Sequence, residues 1–193
     1  METTRGDNDV TPQERSLTRR MARDLDAAFP DLVRVTQDRL YSGLRSMSRN
    51  HADAEDAAQE TFLRAYRALA GYDPDRIEQL ELLGWLWTIA LNVVRNRARS
   101  ASRRVAEVEL AGDGGDSRPS AEDEADVATA EWRRRLEALS TEQRTAVVLR
   151  HVVDMPYRDI AEATDRPIGT VKSDVNRGIH TLRRIIEEEV ASR

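Results

Sequence analysis

Residues 159–175 read DIAEATDRPIGTVKSDV, and the reading of the rest of the chain grows outward from them. Tyr157 to Ala163 form a short helical segment with Ile160 and Ala161 turned inward. Thr164-Asp165-Arg166-Pro167 reads as a tight turn, because Pro167 suits the first turn of a following helix. From Ile168, apolar residues recur at Val171, Val175, Ile179, Leu182 and Ile186, the 3.6-residue rhythm of an amphipathic helix. The opposite face offers Gly169, Lys172, Ser173, Asn176, Arg177 and His180, all small, hydrogen-bonding or cationic. Upstream, Ser140 followed by Gln143 fits a capping box. Ala146, Val147, Leu149 and Val152 give that helix its apolar side, and Asp154-Met155-Pro156 ends it. A short helix, a tight turn and an amphipathic helix make a helix-turn-helix, whose second helix enters the major groove of DNA. There Asn176 suits a bidentate contact to adenine and Arg177 a guanine or a phosphate, with Thr170, Lys172 and Ser173 beside them. A plain three-helix bundle with a solvated face would show the same periodicity.

The composition of the whole chain first argues the other way. It has 193 residues, a formal charge of −5, 39% apolar residues and 34% charged residues. Aromatics, at 5%, are too sparse to favour one large α/β core, and the heavy charge suits small, solvated helical units. The absence of cysteine excludes disulfides, thiolate metal sites and a cysteine nucleophile. His51, His151 and His180 lie far apart without ligand spacing. The N-terminus has no signal-peptide pattern, and the longest nearly apolar run, 82–94, is too short to span a bilayer. A soluble, cytoplasmic chain is therefore expected. The charge is unevenly placed: residues 105–130 carry 8 acids and one base, Arg118, so this stretch alone holds −7 and the remainder +2. The stretch contains Gly112, Gly114, Gly115 and Pro119 and no aromatic residue, which predicts a flexible acidic linker. The expected arrangement is a polar extension at 1–25, a helical domain at 26–104, the linker at 105–130, a helix-turn-helix domain at 131–187 and a tail at 188–193. The fold class is all-α, as two small helical domains rather than one core.

Two strings in the first domain carry chemistry of their own. DAEDAAQETFLRAYRAL, residues 53–69, predicts a helix with Asp53 as N-cap and Ala57, Thr61, Phe62, Ala65, Tyr66 and Leu69 inward. Asp56, Gln59 and Glu60 then cluster outside; a metal site from Asp56 and Glu60 lacks a third ligand, and a solvated acidic face reads as well. GWLWTIALNVVRNRARSASRR, residues 84–104, holds Arg95, Arg97, Arg99, Arg103 and Arg104 and no acid. An acid-free run of this length in a net-acidic chain reads as the footprint of a phosphate backbone, with a solvated helix end as the plainer alternative. Trp85 and Trp87, at its more apolar end, read as core residues rather than stacking platforms.

These strings carry a family resemblance. DIAEATDRPIGTVKSDV resembles the helix-turn-helix of bacterial sigma factors and of LuxR-type regulators. DAEDAAQETF and the second string, similar to a WLYxIAxNxxxDxxR pattern, separate the two: together they resemble the extracytoplasmic-function sigma factors, small two-domain members of the sigma-70 family. The resemblance covers about two-thirds of the chain. It implies a sigma-2-like helical bundle and a sigma-4-like helix-turn-helix. It implies that Asp56, Gln59 and Glu60, flanked by Phe62 and Arg64, dock on core RNA polymerase. It implies that Asn92, Arg95, Asn96, Arg97, Arg99 and Arg103 bind the melted strand of the −10 element, with a flipped base near Asn92. Asn96 stands where the family commonly has Asp. Thr170, Lys172, Ser173, Asn176 and Arg177 would read the −35 duplex, and Asp174 stands where a basic residue is common, weakening phosphate attraction or accepting from a cytosine amino group. The linker would pass near the RNA exit path, its acids mimicking RNA; neutralising Glu122, Asp123, Glu124 and Asp126 should then alter promoter escape. An anti-sigma factor is an expected partner. No catalytic residue, metal, cofactor or membrane contact is called for. A free-standing LuxR-type regulator explains 140–187 but neither string of the first domain. A nucleic-acid-processing enzyme would need a carboxylate cluster or a nucleophile, and neither is assembled.

Overall fold

Polar residues at the starts of apolar stripes set four of the helix starts. The computed structural model describes residues 12–111 and 127–192, with side chains described for 12–100 and 130–192. Nine helices and no strand occur among the described residues. They are α1 (Pro12–Arg23), α2 (Leu25–Met47), α3 (His51–Ala70), α4 (Pro74–Glu78), α5 (Leu82–Ala111), α6 (Val127–Glu137), α7 (Thr141–His151), α8 (Tyr157–Thr164) and α9 (Ile168–Ala191). The side chains of Asp24, Asn50, Asp73 and Ser140 accept backbone N–H groups at the starts of α2, α3, α4 and α7, satisfying donors that have no partner inside the helix. α8 and α9 follow Pro156 and Pro167 and use no side-chain cap.

α5 continues to Ala111 and α6 begins at Val127, so both helices run into the stretch expected as a linker, and residues 112–126 lie outside the described residues. α1 falls in the stretch expected as a polar extension. It buries Leu17, Thr18 and Met21 in a cluster with Ala28, Leu32, Leu69, Ile77 and Leu82. Arg20 of α1 and Arg34 of α2 both bond the carboxylate of Asp31, which holds that carboxyl below its usual range.

The two helical units, α1–α5 and α6–α9, also share a core. One continuous cluster runs from Leu40, Leu44, Leu86 and Trp87 to Val153, Met155, Ile160 and Val175. Gly43 makes this approach possible: a β-carbon there would stand 2.5 Å from the Trp87 ring and 2.7 Å from Val153. Around the rim, Arg39 donates from Nε and Nη2 to the carbonyl of Val153, at 2.9 and 2.6 Å, and Arg158 pairs with Glu81. Periodicity gives each helix its apolar side but does not say whether two units bury those sides separately or together, so this common core was not anticipated.

Candidate nucleic-acid and partner interfaces

Three exposed faces come from three helices. The first lies on α3. The helix starts at His51, earlier than Asp53, because Asn50 is extended (φ −144°) and its side chain accepts the Asp53 N–H at 2.7 Å. Asp53 is therefore in the first turn and is not the N-cap. Ala54, Ala57, Thr61, Ala65 and Leu69 form the buried stripe. Phe62 is half-buried against the core, and Tyr66 packs edge-on against Phe29. Asp56, Gln59, Glu60 and Leu63 then line the outside at helical spacing. Leu63 is 50% exposed and was missed by the reading of the sequence, although it lies two turns from Asp56 on the same face. Arg64 turns back along the helix to bond Glu60 at 2.5 Å.

The second face lies on α5. Leu82, Leu86, Trp87, Ala90, Leu91 and Val93 are buried. Trp87 is a core residue, and Trp85 is half-buried with an edge contact to Tyr72. Past Leu91 the helix changes character: Asn92, Arg95, Asn96 and Arg99 are exposed along one stripe. Arg95 Nη1 donates to Asn92 Oδ1 at 3.2 Å, which orients the amide. Arg97 points to the other side and bonds Asp56 of α3 at 3.0 Å. The structure thus joins one residue expected to face the −10 strand to one expected to face polymerase. The side chain of Arg103, and Glu122, Asp123, Glu124 and Asp126, lie outside the described residues.

The third face lies on α9. Asp165, in the left-handed region (φ 53°), closes α8, and the Arg166 N–H bonds the Ala161 carbonyl at 2.9 Å. Asp and Asn tolerate this conformation better than other non-glycine residues. The inward stripe is Val171, Asp174, Val175, Gly178 and Leu182, whereas Ile168 and Ile186 at its ends are exposed. Gly178 lets α9 approach α7, since a β-carbon there would meet Val147 at 2.6 Å. Lys172, Ser173, Asn176, Arg177 and His180 are exposed together, and Thr170 is half-buried. The Lys172 ammonium sits 5.5 Å from the centre of the Tyr157 ring. His151 borders the same face, and partial desolvation, with the nearby Arg150 charge, pushes its imidazole below the usual histidine range. Asp174 departs from the sequence reading. It is not on the DNA side but faces inward, because Arg166 and Arg177 supply two guanidinium partners.

Among the described residues no cluster of three or more metal-ligating side chains occurs, and no helix is long and apolar enough to cross a membrane.

Residues 32–104 match the family model of Sigma-70 region 2, and residues 129–182 that of Sigma-70, region 4. The chain is 34% identical over 164 residues to the ECF RNA polymerase sigma factor SigE of Mycolicibacterium smegmatis, covering 81% of this chain and 62% of that relative. It is 30% identical to the ECF RNA polymerase sigma factor SigW of Bacillus subtilis, covering 83% of this chain and 90% of that one. Among solved structures, CnrH in complex with the cytosolic domain of CnrY superposes with a TM-score of 0.68 at 26% identity, covering 91% and 97% of the two chains. The sigma factor RpoE of Bartonella quintana, in complex with the anti-sigma factor NepR, gives 0.68 at 25% identity, covering 82% and 96%.

Proposed function

The chain belongs to the extracytoplasmic-function sigma factors of the sigma-70 family, and on that premise we propose how its three faces divide promoter-specific initiation. The α3 face, Asp56, Gln59 and Glu60 with Leu63, docks on core RNA polymerase. Leu63 supplies the apolar centre that such an interface needs, and the polar residues rim it. The α5 stripe, Asn92, Arg95, Asn96 and Arg99, takes the melted strand of the −10 element. An opened base offers its Watson–Crick edge to the Asn92 amide, and the arginines hold the phosphates. The α9 face, Lys172, Ser173, Asn176 and Arg177, enters the major groove of the −35 duplex.

The observation that carries this reading is the exposure of Asn92 and its arginine neighbours on α5, beside the α3 face and joined to it through Arg97 and Asp56. A LuxR-type regulator needs only the α9 face and leaves those two unexplained. The reading gives the chain no chemical step and no cofactor, and places it in the cytoplasm with the polymerase. The neighbour bound to NepR supports an anti-sigma factor as a further partner.

The test is reconstitution. The purified chain should associate with core polymerase and direct it to start at a specific promoter, and failure to associate would overturn the reading.

A further inference from the structure

Asp174 is 4% exposed within the buried stripe of the recognition helix. An isolated carboxylate in such a place is costly, and it persists only where cations and hydrogen bonds compensate. Here both compensating groups are arginines with different settings. Arg166 comes from the turn between α8 and α9. Its Nη2 lies 2.5 Å from Oδ2, a close ion pair rather than a well-aligned hydrogen bond. Arg177 is on the outward face, 63% exposed, and its Nη2 donates to Oδ1 at 2.9 Å. One buried carboxylate therefore spans the turn, the recognition helix and the face offered to DNA.

We propose that Asp174 is a positioning residue for promoter reading: it fixes the guanidinium of Arg177 in one orientation on the outside of α9, while Arg166 compensates the other carboxylate oxygen from the turn. The inference rests on the reading of Arg177 as a −35 contact. An exposed arginine samples many rotamers, and a bidentate contact must otherwise overcome that entropy at the moment of binding. Asp174 engages one of the five N–H donors and leaves the rest of the planar fork for a base or a phosphate. The acid at 174 thus does not repel the phosphate backbone, because its charge is buried and neutralised. It presents the cation that meets that backbone.

The alternative role is purely internal: Asp174 neutralises Arg166 and has no part in reading. A mutant cycle separates the two. Holoenzyme is assembled from core polymerase and the full chain, and its affinity is measured for promoter fragments drawn from a randomised pool by the wild-type holoenzyme. Arg177→Ala should weaken binding by about tenfold, within the range for one base contact. Asp174→Asn should weaken it several-fold and relax base preference at the position that Arg177 reads. The double variant should be no weaker than Arg177→Ala alone, and affinity for core polymerase should be unchanged throughout. A loss from Asp174→Asn that is as large without Arg177 as with it overturns the proposal, as does an unchanged affinity. An ineffective Arg177→Ala removes both the −35 reading of that residue and the proposal built on it. If Asp174→Asn alone prevents folding, the cycle is run with Asp174→Asn/Arg166→Met, which leaves no lone charge buried.

Discussion

α5 and α9 both expose asparagine and arginine, and they are divided in opposite ways. α9 is split lengthwise. One side, from Val171 to Leu182, is buried along several turns, and the other side is exposed over the same turns. α5 is divided more nearly end to end: it is largely covered as far as Leu91, and from Asn92 onward it keeps Val93 buried but offers an exposed stripe. A helix buried along one side presents a single fixed surface, which suits the groove of an intact duplex. A helix whose exposed stripe gathers toward one end offers a short surface, which suits a separated strand.

The largest effect expected from this contrast is at the two glycines that let helices approach closely. Gly178→Val places side-chain carbons inside contact distance of Val147 and should lower the stability of the helix-turn-helix unit by roughly 3 kcal/mol, the upper end of ordinary overpacking. Gly43→Val should act instead on the junction between the units, through Trp87 and Val153. Calorimetry decides: for Gly178→Val, −35 affinity should fall with the midpoint, and an unshifted midpoint would mean that α9 is not held along its length.

The next effect is set by pH. Asp159, at the start of α8, packs against Gly84 of α5. Burial, with Glu81 next in weight and Glu162 and Glu14 adding to it against the pull of Arg158, raises its carboxyl from the ordinary 3.8 to about 6. Between those values the folded chain keeps a proton that the unfolded chain has released. Asp159 therefore favours the fold fully below about pH 4, loses that contribution as pH rises to 6, and is level above. Unfolding free energy of wild type relative to Asp159→Asn should drop across that window by at most about 3 kcal/mol. A flat difference would remove the buried contact between α8 and α5.

A smaller effect addresses the two readers directly. Asn92→Ala should impair promoter opening by about tenfold while sparing duplex −35 binding, and Arg177→Ala should do the reverse. Permanganate footprinting and gel shifts read the two steps separately, and equal losses at both would erase the division of labour. Smallest are the caps. Asn50→Ala and Ser140→Ala should each cost about 1 kcal/mol. Thermal melts that respond to only one of them would show that the other helix is held by packing alone.

The lengthwise split of α9 was legible in the sequence, because a stripe of constant spacing is what one-sided burial writes into a helix. The end-to-end split of α5 left another trace, a shift from apolar to acid-free basic composition. The α3 face needed a family resemblance to become more than a solvated acidic surface. What escaped were features fixed by distant partners. Asp174 reads as a surface acid until Arg166, from the preceding turn, is seen to accompany it inward. Asn50 displaced Asp53 as cap, since either polar side chain fits the pattern and only the backbone angles choose. The meeting of Gly43, Trp87 and Val153 spans more than a hundred positions of sequence and leaves no local pattern.

That meeting has an energetic consequence for DNA binding. A chain of this length packed as one body is about 40 Å across. The −10 and −35 elements lie about 25 base pairs apart, roughly 85 Å of duplex at 3.4 Å per step. Reading both at once would require α8 to part from α5, which would bring the indole of Trp87 toward water. Apparent affinity for a two-element promoter is then the intrinsic affinity multiplied by the fraction of chains already parted. A polymerase that held the units at promoter spacing would raise that fraction without touching a base, and tryptophan emission would report the change.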